Sequence, residues 1–320
     1  MRPVRHLFII NPAAGKKGST NALVSQIKAV FDPKGLDYEI AFTAHAGDAE
    51  RIARRAAEGG RETRIYACGG DGTLNEVVNG AAGHDFLAVT NYPKGTGNDF
   101  LKIFGKNYRV RFCDLAALSE GPQADFDLMD CNGKLGIGSV CAGVDARVAA
   151  DVHKYKNMPL ITGMGAYILS LMVNIFFKGI SRPTTLDVNG VHIEEEAAII
   201  CVMNGRYYGG GFMPVGDAEP DDGVLDMLFV PKVSLLTFLR LVGKYAKGLY
   251  KECPRHITAF HGESLTFTVG GGDGVAVVDG EVMRGKRFTV RLSERKIHFF
   301  YPGDLTYRLR PPVSTPVGTL

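Results

Sequence analysis

Six cysteines, at 68, 113, 131, 141, 201 and 253, are scattered through 320 residues with no CxxC pair and no Cys/His metal spacing. A disulfide framework and a zinc site are disfavoured, and reduced thiols in a cytoplasmic protein are expected. Charge of one sign is equally scarce. Lys and Arg number 37 against 34 Asp and Glu, a formal net charge of +3, too small to argue for nucleic acid, and no RNP-like or zinc-finger pattern occurs. Neither GxxxxGK followed by Ser or Thr nor GxGxxG is present, which disfavours a Walker-type ATPase and an ordinary dehydrogenase. The N-terminus runs from Met1-Arg2-Pro3 into a strand and lacks an apolar signal region with a cleavage site. No long linker or low-complexity segment interrupts the chain. Its apolar fraction of 45% and charged fraction of 22% are ordinary for a globular protein, and its length suits two domains.

What is present is a regular alternation. Strand-like runs at 4–10, 36–42, 64–68 and 86–91 alternate with helical segments at about 19–31, 47–58 and 73–82. That pattern predicts a parallel, doubly wound α/β domain. After Asp127 the texture changes to short β runs, among them 136–141, 185–188, 197–203, 225–230, 265–269 and 288–292, which predict a β-rich second domain. The tail from Pro311 is expected to be loose.

Three of the first domain's strands run into glycine-rich loops: Asn11-Pro12-Ala13-Ala14-Gly15, Gly69-Gly70-Asp71-Gly72-Thr73-Leu74-Asn75-Glu76, and Gly95-Thr96-Gly97-Asn98-Asp99-Phe100. In an open α/β sheet, ligands bind beyond the carboxyl ends of the strands. Glycines allow close backbone approach, and amides at a helix start face an anion. Asp71 is unfavourable beside a phosphate unless it meets a cation or takes a proton, so phosphoryl transfer with Mg²⁺ is indicated. A second Gly-Gly-Asp-Gly at 271–274 joins two strand-like runs, where a hairpin turn is the better reading.

A further acid pair stands at Asp279-Gly280-Glu281, between an apolar run and Arg284, Lys286 and Arg287. Residues two apart on a strand share a face, so both carboxylates are expected in one cleft, where one can accept a proton from an alcohol. The plain alternative is that Asp279-Gly280 is only a turn.

These four motifs, in this order along nearly the whole chain, resemble the diacylglycerol kinase catalytic family, most closely its bacterial lipid kinases, relatives of the sphingosine and ceramide kinases. The Gly-Gly-Asp-Gly core is shared with NAD kinases and phosphofructokinases, whose fold the first domain is then expected to have. The resemblance implies an ATP-binding kinase domain at 1–127, rejoined by 297–320, and a β-sandwich lipid-substrate domain at 128–296. It implies ATP and Mg²⁺, with Asn11, Pro12, Ala13, Ala14, Gly15, Thr43, Gly70, Asp71, Gly72, Thr73, Leu74, Asn75, Glu76 and Thr96 holding the nucleotide. Asp71 matches the acid that organises Mg²⁺ and phosphate, and Asp279 or Glu281 the base. Asp127 matches a carboxylate of a metal–water network. Glu219-Pro220-Asp221-Asp222-Gly223-Val224 is similar to a structural Mg²⁺ segment, with Asp222 as the carboxylate and carbonyls near Glu219 and Val224. Gly97 departs from the small residue many relatives carry there, a change expected to be harmless. A homodimer is compatible with the family.

Two stretches bear on a membrane. Residues 160–177 carry no charge over 18 positions, the lower limit for a span. Polar and glycine residues dilute them, and a packed helix beside the lipid cleft is expected, with an ordinary core helix as the alternative. In 231–251, Arg240, Lys244, Lys247 and Lys251 recur at helical spacing opposite Leu235, Leu236, Leu239, Val242 and Tyr245. That suits either a solvated face or anionic headgroups. The expected function is a cytoplasmic lipid kinase on the inner face of the membrane, converting diacylglycerol to phosphatidic acid. A kinase of another lipid, such as phosphatidylglycerol or a sphingoid base, and an NAD kinase-like enzyme of a soluble metabolite are the alternatives. A binding module without catalysis fits poorly, since Asp71, Asp279 and Glu281 are all present.

Overall fold

The computed structural model describes residues 3–156, 169–170, 172–271 and 274–309. Most of the apolar run at 160–177, two residues of the Gly271–Gly274 repeat and the tail from 310 lie outside the described residues.

The first unit is built on β1 (Arg5–Ile10), β2 (Tyr38–Phe42), β3 (Thr63–Gly69), β4 (Leu87–Pro93) and β5 (Gln123–Phe126), with α1 (Ser19–Phe31), α2 (Asp48–Glu58) and α3 (Asp71–Ala81) between them. β1 pairs in parallel with both β2 and β3, and β3 with β4. Nearly every residue of β1, β3 and β4 is buried, as required of parallel strands covered on both faces. The chain leaves β1 toward one edge and returns to β3 on its other side, so the β1–β3 boundary is a switch point. α3 begins at Asp71, two residues before the expected start, which places that acid in the first helical turn, where the helix dipole favours it.

The second unit is all antiparallel: β6 (Met129–Cys131), β7 (Lys134–Gly136), β8 (Ser139–Gly143), β9 (Arg182–Val188), β10 (Val191–Met203), β11 (Leu225–Pro231), β12 (Thr258–Gly262), β13 (Ser264–Val269), β14 (Val275–Val278), β15 (Glu281–Arg284) and β16 (Arg287–Leu292). β10 carries a bulge between Ala197 and Ile199. Its first half pairs with β9 and its second with β8 and β11. One strand thus feeds both layers of a sandwich, the bulge supplying the bend. Val140, Ile200, Val202, Met227 and Phe229 share the intervening core with Leu186, Phe267, Phe288 and Val290. Alternate residues of the first layer, such as Cys141, Ile199, Cys201 and Val230, face outward and are covered by the helices Val144–Lys156 and Leu235–Tyr245. β17 (Ile297–Phe300) then returns to the first sheet, in the order β2-β1-β3-β4-β17-β5. Its Phe299 meets Phe100 and Phe126 at ring separations of 5.4 Å. All six cysteines are free thiols.

Three expectations change. β13 and β14 exist but do not pair with each other: β13 lies between β9 and β16, β14 between β8 and β15. The strands that flank the second glycine repeat therefore do not form the expected hairpin. The actual hairpin turn is Asp279-Gly280, with Val278 opposite Glu281 and positive φ at both turn residues (47° and 91°), the two-residue geometry that matches strand twist. The basic stripe also breaks. The helix ends at Tyr245, Lys251 lies on a separate turn paired with Asp217, and Leu236 and Leu239 are exposed alongside Arg240.

Candidate active site

The three glycine loops follow β1, β3 and β4, which are neighbours in the sheet, and so gather at one edge beside the switch point. The Asn11 amide donates to the Cys68 carbonyl at 3.0 Å, and the Gly95 amide to the Gly69 carbonyl at 2.9 Å. Asn11 Nδ2 reaches Thr73 Oγ1 at 3.3 Å. The middle and third loops touch so closely that a Cβ on Gly95 would lie 2.6 Å from Gly70 Cα. No side chain caps the N-terminus of α3. Its first amides keep their donors for a ligand, in a setting made of backbone and glycine, which suits a phosphate.

Asp71 stands at this N-terminus. Its Oδ1 accepts the Asp99 amide at 2.6 Å, and Asn98 reaches the required turn with φ 56° while its Nδ2 donates to the Gly69 carbonyl and Asn91 Oδ1. Arg109 ties the same loop down through the carbonyls of Pro93 and Gly95 and through Asn98 Oδ1. Burial first, then the neighbouring Asp99 and, more weakly, Asp279, push the Asp71 carboxyl up to about 6. A buried carboxylate at a helix start beside other oxygen acids is a suitable single ligand for a hard divalent cation. Gly97 matters here: a Cβ on it would sit 2.3 Å from Asp71 Oδ2. Its missing side chain is the space that Asp71 occupies.

The turn at Asp279-Gly280 separates the two acids that strand alternation would place together. Asp279 points inward. Its Oδ2 accepts Ile137 N–H at 2.7 Å and Asn75 Nδ2 at 3.1 Å, and its Oδ1 accepts Gly138 N–H at 2.9 Å and Ser139 N–H at 2.8 Å. Burial raises its pKa while these donors oppose the rise. All four lone-pair sites of the carboxylate are occupied. Glu281 is exposed, and its Oε1 lies 3.2 Å from where a Gly72 Cβ would be, over the start of α3.

A cavity of about 380 Å³ starts at Asp71, Asp99 and Asp279 and runs along the outer face of the sandwich to Phe238, Leu239 and Val242. Beyond its acidic end most of the wall is apolar, with Leu74, Phe100, Val144, Val148 and Ile175 among the lining.

The remaining expected residues divide. Ala13 N–H closes on Asn11 Oδ1 at 2.9 Å, and exposed Pro12 and Gly15 with half-buried Ala14 complete that loop. Thr43 ends β2 with its amide on the Ile10 carbonyl, and Thr96 is exposed beside Arg109. Leu74 turns to the cavity, and Asn75 bonds the Leu135 carbonyl as well as Asp279. Glu76 caps α2, accepting Gly47 N–H and Ala49 N–H at 2.9 and 3.0 Å, so its carboxylate orients a neighbouring helix. The residues expected to hold a structural metal form a separate group. Asp127 is engaged by Gly223 N–H and Lys296, and Asp222 Oδ1 by Val224 N–H. Among the described residues no three His, Cys, Asp or Glu side chains converge as a metal-binding group. Buried Asp221 Oδ1 and Asn204 Oδ1 nevertheless have no hydrogen-bond partner, and Asp222 is raised by burial and by Asp127, Glu219 and Asp221. Orphaned acceptors near clustered acids fit a cation held by one carboxylate and carbonyls.

Comparison with known proteins agrees with this arrangement. The family profile of the Diacylglycerol kinase catalytic domain matches residues 5–131, and that of the YegS C-terminal NAD kinase beta sandwich-like domain matches 138–299. A "Probable lipid kinase YegS-like" of Pseudomonas fluorescens is 30% identical over 87% of this chain and 91% of its own length. This chain belongs to the diacylglycerol kinase family of lipid kinases. A "Diacylglycerol kinase" of Bacillus subtilis is also 30% identical, over 76% of this chain and 79% of that protein. The crystal structure of a diacylglycerol kinase from Bacillus anthracis superposes with TM-score 0.68 at 20% identity, covering 94% of this chain and 98% of that one, a likeness of fold. The α/β first unit and the β-sandwich are thus those of the family.

The site residues that sequence reasoning passed over, Asn98, Asp99, Arg109 and Asn75's bond to Asp279, all lie in or near recognised motifs. Their partners are distant in sequence, and only the two asparagines and Asp99 had a signal, in the Gly95–Phe100 run and the Gly69–Glu76 loop.

Two predictions follow from Asp71. In Gly97→Ala the new methyl displaces the carboxylate, so phosphoryl-transfer activity should fall at least about tenfold while the melting temperature changes little; equal activity would refute the steric claim. Asp71 is raised relative to the unfolded chain, so its contribution to stability is full below about pH 4 and is lost as pH rises through about 6. Asp71→Asn should therefore melt higher than wild type above pH 6, by a margin that shrinks toward pH 4, while its activity collapses. A pH-independent difference in calorimetry would contradict this.

Proposed function

We propose that the chain transfers the γ-phosphoryl group of ATP, with Mg²⁺, to the hydroxyl of a membrane lipid. The observation that carries this reading is the single cavity whose lining joins Asp71 and Asp279 beside the nucleotide loops to an apolar wall ending at Phe238 and Leu239. A soluble metabolite would have no use for that wall, whereas a lipid buries its chain along it and presents its hydroxyl at the acidic end. Diacylglycerol, the acceptor expected from the sequence, is the reference lipid.

The roles follow from the geometry. The open amides of α3, with the Asn11–Gly15 and Gly95–Gly97 loops, hold the phosphates. Asp71 binds the metal. Mg²⁺ supplies charge neutralisation on the transferred group. Glu281 is the base: unlike Asp279 it has no hydrogen bond among the described residues that a proton would break, and it stands over Gly72 at the nucleotide side. Asp279 positions, fixing the β8 amides against α3. Asp222, with carbonyls near Glu219 and Val224, and Asp127 beyond it, fit a structural metal, and Asp221 and Asn204 add free acceptors.

The test is transfer of label from γ-labelled ATP to lipids in mixed micelles. Glu281→Gln should lower kcat at least about 100-fold with an unchanged melting temperature. Asp279→Asn sets an amide N–H against backbone N–H groups, so it should lose about 1–3 kcal/mol of stability as well as activity. Wild-type rates in Glu281→Gln would remove it as the base. Label found only on a soluble acceptor such as NAD would replace the lipid reading with the metabolite alternative.

Peripheral membrane contact belongs to the same proposal. No helix among the described residues is long and apolar enough to cross a membrane. Around the cavity, Met172, Phe176, Phe177, Leu236 and Leu239 are exposed, with Arg240 and Lys244 on the same helix as the last two. Mixed apolar and basic surface is what an anionic bilayer interface attracts. Changing Arg240, Lys244 and Lys247 to Glu should weaken sedimentation with anionic liposomes at least about tenfold; unchanged binding would discard this face.

A further inference from the structure

A buried cation under the first glycine loop has no part in the roles assigned above. Lys94 directly follows β4 and is nine-tenths buried. Its side chain reaches past the end of β3 to the first loop, where Nζ donates to the Asn11 carbonyl at 3.0 Å and to Thr20 Oγ1 at 2.6 Å. The stem packs on Gly15, where a Cβ would come within 3.1 Å of Lys94 Cγ. Both partners of the ammonium are neutral, and they use two of its three donors. Among the described residues no carboxylate pairs with it, and burial lowers its pKa. The other lysines near the loops differ: Lys102 pairs with Asp99 at 2.5 Å, and Lys16 and Lys17 are exposed.

Two neighbours point the same way. Ser19 Oγ is buried with no hydrogen-bond partner, and the same Gly15 Cβ would lie 3.0 Å from it. α1 starts behind Gly18 at φ 84°, with no side-chain cap and no acid in its first turn, so its positive end is uncompensated. An ammonium, a hydroxyl and a helix start thus converge around Gly15 with no anion among them. An unpaired buried charge is unfavourable unless a ligand completes it. The ligand that completes this set is an anion with several oxygens. Position says which one. No residue of 11–20 lines the apolar cavity, whereas Asp71 and Gly97 do. The transferred phosphoryl group belongs at that acidic end, next to the acceptor hydroxyl. The Lys94 ammonium stands by β1, away from the cavity, and so meets the phosphates that stay behind. Mg²⁺ neutralises the developing charge on the β- and γ-oxygens, and a buried cation at this end adds to it.

Resting on the lipid-kinase reading above, we infer that Lys94 and Ser19 hold the diphosphate part of the nucleotide, the phosphates that remain on ADP. Lys94 then contributes to the binding of substrate ATP and of product ADP alike.

Calorimetric binding of adenosine, ADP and ATP to the full chain with Mg²⁺ tests this. Lys94→Met keeps the stem and removes the charge. It should weaken ADP and ATP about tenfold or more each, the loss of a hydrogen bond from a charged donor, and leave adenosine within about twofold. Ser19→Ala is a smaller change and should weaken ADP about threefold, again without effect on adenosine. Without nucleotide, Lys94→Met should melt no lower than wild type, because it removes an unpaired buried charge. With ADP its melting temperature should rise less than that of wild type. Equal losses for adenosine and ADP would mark a structural tether and overturn the inference, as would unchanged ADP binding in both variants. A loss confined to ATP would put the charge on the transferred group and overturn it too. Phosphoryl transfer to lipids is measured in parallel. If ADP binding depends on Lys94 and no lipid is phosphorylated, the kinase reading fails and the diphosphate site stands.

Discussion

Beside the site, the two units are joined through one carboxylate. Asp279 accepts three consecutive amides, Ile137 to Ser139, and the side chain of Asn75 from α3. Hydrogen bonds to a charged acceptor contribute about 1.5–3 kcal/mol each, and here they join the helix that starts the phosphate loop to the strand that walls the cavity. Asn79 extends the joint by bonding both the amide and the carbonyl of Leu135. Nucleotide loops and apolar cavity are thereby held in a fixed register. Phosphoryl transfer depends on such placement, since alignment of the two reactants supplies much of the rate.

The same joint explains why the acid pair in Asp279-Gly280-Glu281 divides its labour. Asp-Gly is a favoured pair at a two-residue turn with positive φ at both residues, and four donors fix the Asp279 side chain inward there. The turn then sends Glu281 back over Gly72. Two carboxylates with one sequence signature receive opposite environments, one saturated with donors and one open, and chemistry follows the open one.

Much of the fold was legible in the sequence because it is written in local patterns. Strand and helix alternation up to Phe126, the three glycine loops and the β texture after Asp127 are all found where periodicity and turn residues put them. What was not legible depends on encounters between distant segments. Glu76 reads as a ligand of the phosphate loop, yet it caps α2 because Gly47 happens to lie beside it. Leu236 and Leu239 stand opposite the basic residues by helical spacing, but spacing does not say which arc of a helix the sandwich covers.

The late return of β17 bears on how the molecule comes into being. β5 has only one strand neighbour, β17, and β4 has β17 along its outer edge. During synthesis β5 stays unpaired and the outer edge of β4 stays open until about 170 residues beyond β5 have emerged, with Phe100, Phe104, Phe112 and Phe126 still waiting for Phe299. Strand pairing between such remote segments is slow, and an open edge beside uncovered aromatics is a template for aggregation. The nascent first unit is therefore a natural client for chaperones. Its biogenesis hinges on the sandwich folding promptly enough to deliver the closing strand.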